Sequence, residues 1–573
     1  MLQFSKLMGL LCCLFTITTQ AQIAERYQIL ITEIMADSSP QVQLPGNEWV
    51  ELRNTSAISF NLQGWRIGDA SGLSGTMPSY ILKPDSSVIV CTGSAVAAMQ
   101  AFGPTIAVTS FPSLDNSGDL LYLRSPQGRV IHALNYTDAW YKNDLKKEGG
   151  WSLEMMDVHN PCSGVSNWAA STHPSGGTPG RPNAIAAVNP DADAPQLLRA
   201  FASDSLNIVL LFNEPLDSLK AATVSNYQIS DGLSIQSAIC LVPSFDRVSL
   251  KLNGPLQRNK VYNITASPTL SDCAGNTIGS GQKVRVGLAE MADSMDVVIN
   301  EVLFNPRPNG TDYVELYNRS NKMVDLKQLH LANRSSTGVV SNRKQLSSDS
   351  YLLFPQDFMV LAESPDLVKA QYIAQNLAAF LPLPGMPSYN DDKGNVVLLN
   401  VQGKIVDELR YDEKWHHPLI ANPEGVSLER IGYDAPTQDA ANWHSAATSV
   451  GYGTPTYKNS QYWIDAQLAG EITLTPEICS PDNDGLDDFV TISYQFSEPG
   501  YVANITVFDA VGRPVRALQR NALCGSKGYF RWDGLGEKSQ RLPTGIYIVY
   551  TAVFNTQGKT RQFKNTVVLA NSR

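Results

Sequence analysis

The 573-residue chain carries a formal net charge of −10, and only 17% of its residues are charged. That length exceeds what one hydrophobic core organises and points to about four domains. The acidic balance disfavours non-specific contact with phosphate backbones, so nucleic acid is not an expected partner.

Residues 1–21 have the order of a secretory signal peptide: Lys6, then the apolar run MGLLCCLFTI, then Thr19-Gln20-Ala21 as a small-residue cleavage site. The run falls well short of the roughly 20 apolar residues that cross a bilayer, and no later stretch is apolar enough. Export without a transmembrane segment is the expectation.

Residues 27–186 form the first predicted domain. Period-two alternation marks strands at Gln28–Met35, Glu48–Arg53, Gly64–Ile67, Ser87–Cys91, Leu120–Arg124 and Val130–Asn135. One short helix is predicted at Ser94–Phe102. Residues 295–460 repeat this domain. The block ITEIMADSSPQVQLPGNEWVEL (Ile31–Leu52) answers to INEVLFNPRPNGTDYVEL (Ile299–Leu316). Tyr136, Trp140, Ser152-Leu153-Glu154 and Asn167-Trp168 answer, at identical spacing, to Tyr411, Trp415, Ser427-Leu428-Glu429 and Asn442-Trp443. Equal spacing over so long a stretch is the mark of a duplication. Residues 192–290 lie between the copies, and residues 467–573 follow them. Both are rich in short alternating runs and turn residues, so the fold class expected throughout is all-β.

These residues carry family resemblances. Glu33, Glu48-Trp49-Val50-Glu51-Leu52, Asn54, Gly64-Trp65 and Asp69, with SLE and NW further on, resemble bacterial lamin-tail domains. The second copy departs at Gln328-Leu329 and at Tyr313, so its likeness rests on Glu301, Glu315, Asn318 and Ser427–Arg430. Phe212, Glu214-Pro215-Leu216, Asn226-Tyr227 and Asp272–Asn276 resemble bacterial Ig-like modules. TPEICSPDNDGLDD, Ile505–Asp509, Trp532-Asp533-Gly534 and Gly545-Ile546-Tyr547 resemble FlgD-like Ig modules and gliding-motility-associated, type IX sorting-like C-terminal domains. Together they imply four tandem Ig-like β-sandwich domains behind a signal peptide. They also imply type IX export machinery as a partner and the outer surface of a Gram-negative bacterium as the location.

On that domain map the six cysteines beyond the signal peptide fall two by two, giving Cys91–Cys162, Cys240–Cys273 and Cys479–Cys524 as expected disulfides. Free buried thiols are the alternative.

Four acids recur in pairs: Glu33 with Glu51, and Glu301 with Glu315. Paired carboxylates can serve as general acid and base. Their place inside apolar strands favours structural acids, and the lamin-tail resemblance implies that they accept hydrogen bonds from loop backbone or pair with Arg. Seven histidines are scattered, and no catalytic residue is expected. Asp482, Asp484, Asp487 and Asp488 surround Gly485 in the manner of a calcium loop, though without the twelfth-position glutamate of an EF-hand. A solvated Asx turn is the plain alternative, and no cofactor besides calcium is expected. Trp65, Trp140, Trp151, Trp168, Trp415, Trp443 and Trp463 could form a carbohydrate-stacking face, but their repetition favours core positions. The expected function is a non-enzymatic adhesion or scaffold protein whose partners are surface or matrix proteins or polysaccharides. A secreted nuclease or phosphatase, or a carbohydrate- or nucleic-acid-binding accessory to one, is the alternative.

Overall fold

The computed structural model describes residues 23–280, 282–463 and 470–570; the predicted signal peptide lies outside them. The described chain is almost entirely β, in small sheets consistent with Ig-like sandwiches, and none of its helices is long and apolar enough to cross a membrane. It divides into two compact units. The first runs to Arg199 and adds Asn207–Gly254 and Asn263–Val284; the second holds Ala200–Leu206, Pro255–Tyr262 and Arg285–Arg573.

In the first unit, Ile29–Met35 is the central strand of a six-stranded sheet. Trp49–Asn54, Ser87–Cys91 and Thr105–Ala107 follow on one side, Leu153–Met155 and Trp168–Ala170 on the other. In the second unit, Val297–Leu303 holds the same place between Tyr313–Asn318 and Leu428–Arg430, in the same order of strands. In each copy a second sheet closes the sandwich. It is built on Gly118–Arg124 and Val130–Thr137 in the first copy and on Lys393–Asn400 and Ile405–Asp412 in the second. Trp140 and Trp168 lie in the first core with ring centroids 5.9 Å apart, and Trp443 lies in the second.

Both central strands are buried along their whole length, because both faces of the sheet are covered. A β-bulge lets each strand serve both faces. The pairing register shifts between Ile31 and Glu33, and between Ile299 and Glu301. Without the extra residue, Glu33 would share the core face of Ile31. With it, Ile31 and Ile34 both enter the inter-sheet core, while Glu33 turns to the outer face with Met35 and Trp49. The asparagines that end the second strands also match. Asn54 Nδ2 donates to the carbonyls of Ile58 and Leu82, and Asn318 Nδ2 to those of Lys322 and Leu353, all within 3.0 Å.

The Ig-like region contributes the antiparallel ladder Asn207–Phe212, Arg247–Leu252 and Ile235–Cys240. The C-terminal module pairs Glu471–Thr475 with Val490–Gln495 and Lys527–Trp532, opposite a second sheet built on Val502–Asp509 and Gly545–Phe554.

The cysteines differ from the expectation. Cys162 bonds to Cys273, across the border between the first lamin-tail-like region and the Ig-like region, with Cα atoms 6.3 Å apart. Cys91, Cys240, Cys479 and Cys524 are free thiols. The bonds Cys91–Cys162, Cys240–Cys273 and Cys479–Cys524 are therefore not formed. The expectation kept each bond inside one domain, whereas the loop bearing Cys162 meets the Asp272–Asn276 turn of its neighbour. Cys91 packs instead on the outer face of its sheet beside Trp49 and Met99. Cys479 and Cys524 are separate members of the C-terminal core. A bond closing a loop of about 110 residues restricts the unfolded chain by about 4–5 kcal/mol in the chain-entropy model.

Candidate functional site

The bulge places Glu33 in register with Glu51 on one neighbouring strand and Glu154 on the other. Glu301 lies likewise between Glu315 and Glu429. Each copy thus carries three glutamates in a row across three adjacent strands, all buried. The third member, Glu154 or Glu429, was visible in the sequence only as part of the repeated Ser-Leu-Glu.

What covers each row is the segment that leaves the same domain. In the first copy, the Thr178 amide donates to Glu33 Oε1 at 2.7 Å and the Gly180 amide to Glu51 Oε2 at 2.7 Å. The Thr178 hydroxyl and the Ile185 amide reach Glu154 at 2.8 and 3.1 Å. In the second copy, the amides of Thr454, Thr456 and Gln461 donate to Glu301, Glu315 and Glu429 at 2.9, 2.5 and 2.9 Å. Ser152 and Ser427, one residue before the Leu-Glu pair, donate to Glu33 and Glu301. Asn183 bonds the carbonyls of Thr32 and Met155; Asn459 bonds those of Asn300 and Arg430 at the matching positions. A Cβ on Gly177 would lie 2.8 Å from Glu33 Oε1 and 2.7 Å from Ser152 Oγ, so a larger residue there would have to displace both side chains.

Burial raises the carboxyl pKa values, and neighbouring carboxylates add to it. Glu33 and Glu315 are pushed well above the usual range, Glu51 to about 7 and Glu429 to about 8, with desolvation the first cause in each. Burial thus favours the protonated form of Glu33, Glu51, Glu315 and Glu429. The carboxyl oxygens meet strand and exit-segment atoms.

The copies differ in how they satisfy the bulge. In the first, the Ile31 amide donates to His132 Nδ1 at 3.0 Å; burial lowers the pKa of this histidine to about 4, which keeps the ring neutral. In the second, the Ile299 amide donates to Asp407 Oδ2 at 2.8 Å, and the buried Arg430 meets that carboxylate at 3.1 Å. His132 aligns with Asp407 and Met155 with Arg430, so a charged acceptor comes with a counter-ion and a neutral one with methionine. Trp49 and Tyr313 also align. The Tyr313 hydroxyl donates to Glu301 at 2.6 Å, whereas Trp49 Nε1 and Glu33 Oε2 lack partners.

Outside the rows, Asp482, Asp484 and Asp488 bring carboxylate oxygens within 4.8 Å of one another; Asp487 is not in that group. The loop's own amides already engage them: Asn483 and Gly485 donate to Asp488, Leu486 to Asp484. Asp191, Glu214 and Asp272 form a second such group that the sequence reading missed. His416 and His417 bond Ser445 through a ring nitrogen and a backbone amide respectively, and His417 packs against His444 with centroids 5.5 Å apart. The hydroxyls that stand beside the glutamate pairs, those of Ser152 and Ser427, are themselves buried donors to Glu33 and Glu301.

Comparison with known families agrees with this architecture. The lamin tail domain model matches residues 23–138 and 290–413, and the bacterial Ig-like domain model matches residues 181–286. The chain thus carries two lamin tail domains and a bacterial Ig-like domain. The lamin tail matches stop before Leu153–Met155 and Leu428–Arg430, which the structure adds to the same sheets. No curated protein matches the chain. Among solved structures, the N-terminal part of the bacterial S-layer protein SbsC is similar at 16% identity and TM-score 0.17, over 29% of this chain and 45% of that one. PorZ, described as a surface component of the type-IX secretion system of Porphyromonas gingivalis, is similar at 10% identity and TM-score 0.15, over 79% of this chain and 56% of that one. The chain spans about half the length of these structures, and scores this low carry no argument about activity or partners.

Two outcomes follow from the site. Arg430→Met alone leaves Asp407 buried without its counter-ion and should destabilise the second unit by about 3 kcal/mol or more. Adding Asp407→His installs the first copy's solution and should recover most of that loss in a denaturant titration. A double variant no more stable than the single one would refute the pairing. The second outcome concerns pH. Glu429 binds its proton more tightly folded than unfolded, so its contribution is present at low pH and lost as pH rises through about 8. The buried histidines, lowered to about 4, act in the opposite direction but are already neutral above pH 7. Between pH 7 and 8.5 the melting temperature should fall, and Glu429→Gln should flatten the fall; an equal slope in both proteins would count against protonation of the row.

Proposed function

We propose that this is an exported, non-enzymatic protein of the bacterial cell surface or extracellular matrix, working as an adhesion or scaffold component. One observation carries the reading: the paired acids that could have formed an active site are engaged as acceptors for the exit segments of their own domains. Each of these domains is also fastened to the module beside it. In the first unit, the Arg26 guanidinium lies 3.7 Å over the Phe245 ring and donates to the Leu216 carbonyl, and the Cys162–Cys273 bond crosses the same border. In the second, Gln461 Nε2 donates to the Cys524 carbonyl and the Ser526 amide to the Ser460 carbonyl. Fixed junctions between β-sandwiches suit a load-bearing or spacing element better than a catalyst, which needs a cleft with uncommitted acids. A disulfide also suits an oxidising compartment.

In this reading the C-terminal module, residues 467–573, is a type IX-like sorting or attachment domain on a Gram-negative cell. Its Asp482–Asp488 loop holds calcium through Asp482, Asp484 and Asp488. Protein or polysaccharide of the surface is the partner. Fractionation of cells carrying the full chain or a version ending at residue 466 tests the sorting role. The full chain should appear at the surface and the truncated one should accumulate in the periplasm; surface display of the truncated chain would refute it. Calcium should raise the melting temperature of the wild type and leave Asp484→Ala unmoved, and equal response of the two would remove the metal.

A further inference from the structure

Trp463 is the tryptophan of the candidate stacking set that packs into neither the second lamin tail core nor the C-terminal core. It stands instead on one wall of a cleft of about 900 Å³ within the second unit. That wall is the exit segment held by the second glutamate row, and it carries Tyr457 and Tyr462 as well. The opposite wall is the outer face of the sheet Glu471–Thr475, Val490–Gln495 and Lys527–Trp532.

The sheet presents its polar side chains in rungs. Thr473, Ser493 and Tyr529 lie side by side across the three strands, and Glu471, Gln495 and Lys527 form the next rung. The second rung places one negative and one positive group on either side of an amide, so the cleft has little net charge. Tyr529 is 52% exposed, and the inward-facing positions Ile492 and Tyr494 fill the core behind it. The side chains of Gln375, Thr473, Ser493 and Gln495 make no hydrogen bond among the described residues, which leaves their donors and acceptors free for a ligand. Among the described residues, Val450 is the one aliphatic residue lining the cleft.

We propose that this cleft binds a neutral polysaccharide. Flat rings offer apolar faces for the C–H face of a pyranose, and the surrounding amides and hydroxyls match its ring of hydroxyl groups. A peptide partner would call for aliphatic pockets, which the described lining lacks. An anionic glycan would call for unopposed cations, whereas Lys527 is offset by Glu471 and Lys458 lies 4.5 Å over the Tyr462 ring. The inference deepens the surface reading by naming its partner class, and it is tested on purified protein, so its failure leaves the localisation result untouched.

The test is native affinity electrophoresis of the full chain through gels containing soluble β-glucan, xylan or mannan, with alginate as the anionic comparison. At least one neutral polymer should retard the protein. Trp463→Ala and Tyr529→Ala should each weaken that retardation by about tenfold in apparent Kd, a loss of about 1.4 kcal/mol. Tyr529 is half exposed, so its variant should keep the wild-type melting temperature and report on binding alone. No retardation by any neutral polymer, retardation by alginate only, or retardation unchanged in both variants would each overturn the proposal.

Discussion

Three carboxyl groups side by side on one sheet face are an expensive thing to bury, and the rest of each lamin tail domain follows from how they are satisfied. Desolvation and mutual repulsion would expel them. They stay because the exit segment delivers backbone amides and a threonine hydroxyl to the same oxygens. The dependence runs both ways. A segment without regular structure carries backbone groups that need partners when buried, and the glutamates provide them. Removing either side leaves the other unsatisfied, so the acids and the exit segment form one cooperative element rather than a sheet with a loop laid across it.

The duplication shows which parts of that element are fixed. The three glutamates, the threonine, the asparagine and the serine before Leu-Glu are retained in both copies with nearly the same hydrogen bonds. The group that caps the bulge amide is free to change, provided its charge is balanced: neutral His132 with Met155, or Asp407 with Arg430. A buried carboxylate without a counter-ion is among the costlier defects a core can hold, whereas a neutral imidazole acceptor needs none. The same latitude appears at Trp49 and Tyr313, where the ring is kept and its polar tip differs.

Much of this was legible in the sequence. Alternation located the strands, and the repeated spacing from Tyr136 to Trp168 and from Tyr411 to Trp443 showed that one folded unit occurs twice. The setting of Glu33 and Glu51 among apolar residues suggested structural acids, and the lamin-tail resemblance implied hydrogen bonds from loop backbone or pairing with Arg. The third glutamate of each row escaped because it sits about 120 residues away in sequence, and only the sheet order makes it a neighbour. The bulge escaped because an extra residue at Thr32 looks like ordinary alternation until its partner strand is known. The disulfides were misread for a related reason. Spacing within a domain says nothing about which loops face across a border, and Cys162 belongs to a loop that looks outward. Trp463 was grouped with the core tryptophans, yet it has no counterpart in the matching repeat positions and lies in the exit segment, where a ring can remain partly exposed.

In the second copy the exit segment has two roles that follow from a single piece of chemistry. One face gives its amides to the glutamate row; the residues at its far end, Ser460 and Gln461, give a carbonyl and an amide group to the next module. Gln461 shows this within one residue: its backbone amide binds Glu429 and its side chain reaches the Cys524 carbonyl. The same short stretch of backbone therefore contacts both the glutamate row and the module border. It also places the rings of Tyr457, Tyr462 and Trp463 on a backbone held at both ends, which is the preorganisation that a stacking surface needs if ordering is not to consume its affinity.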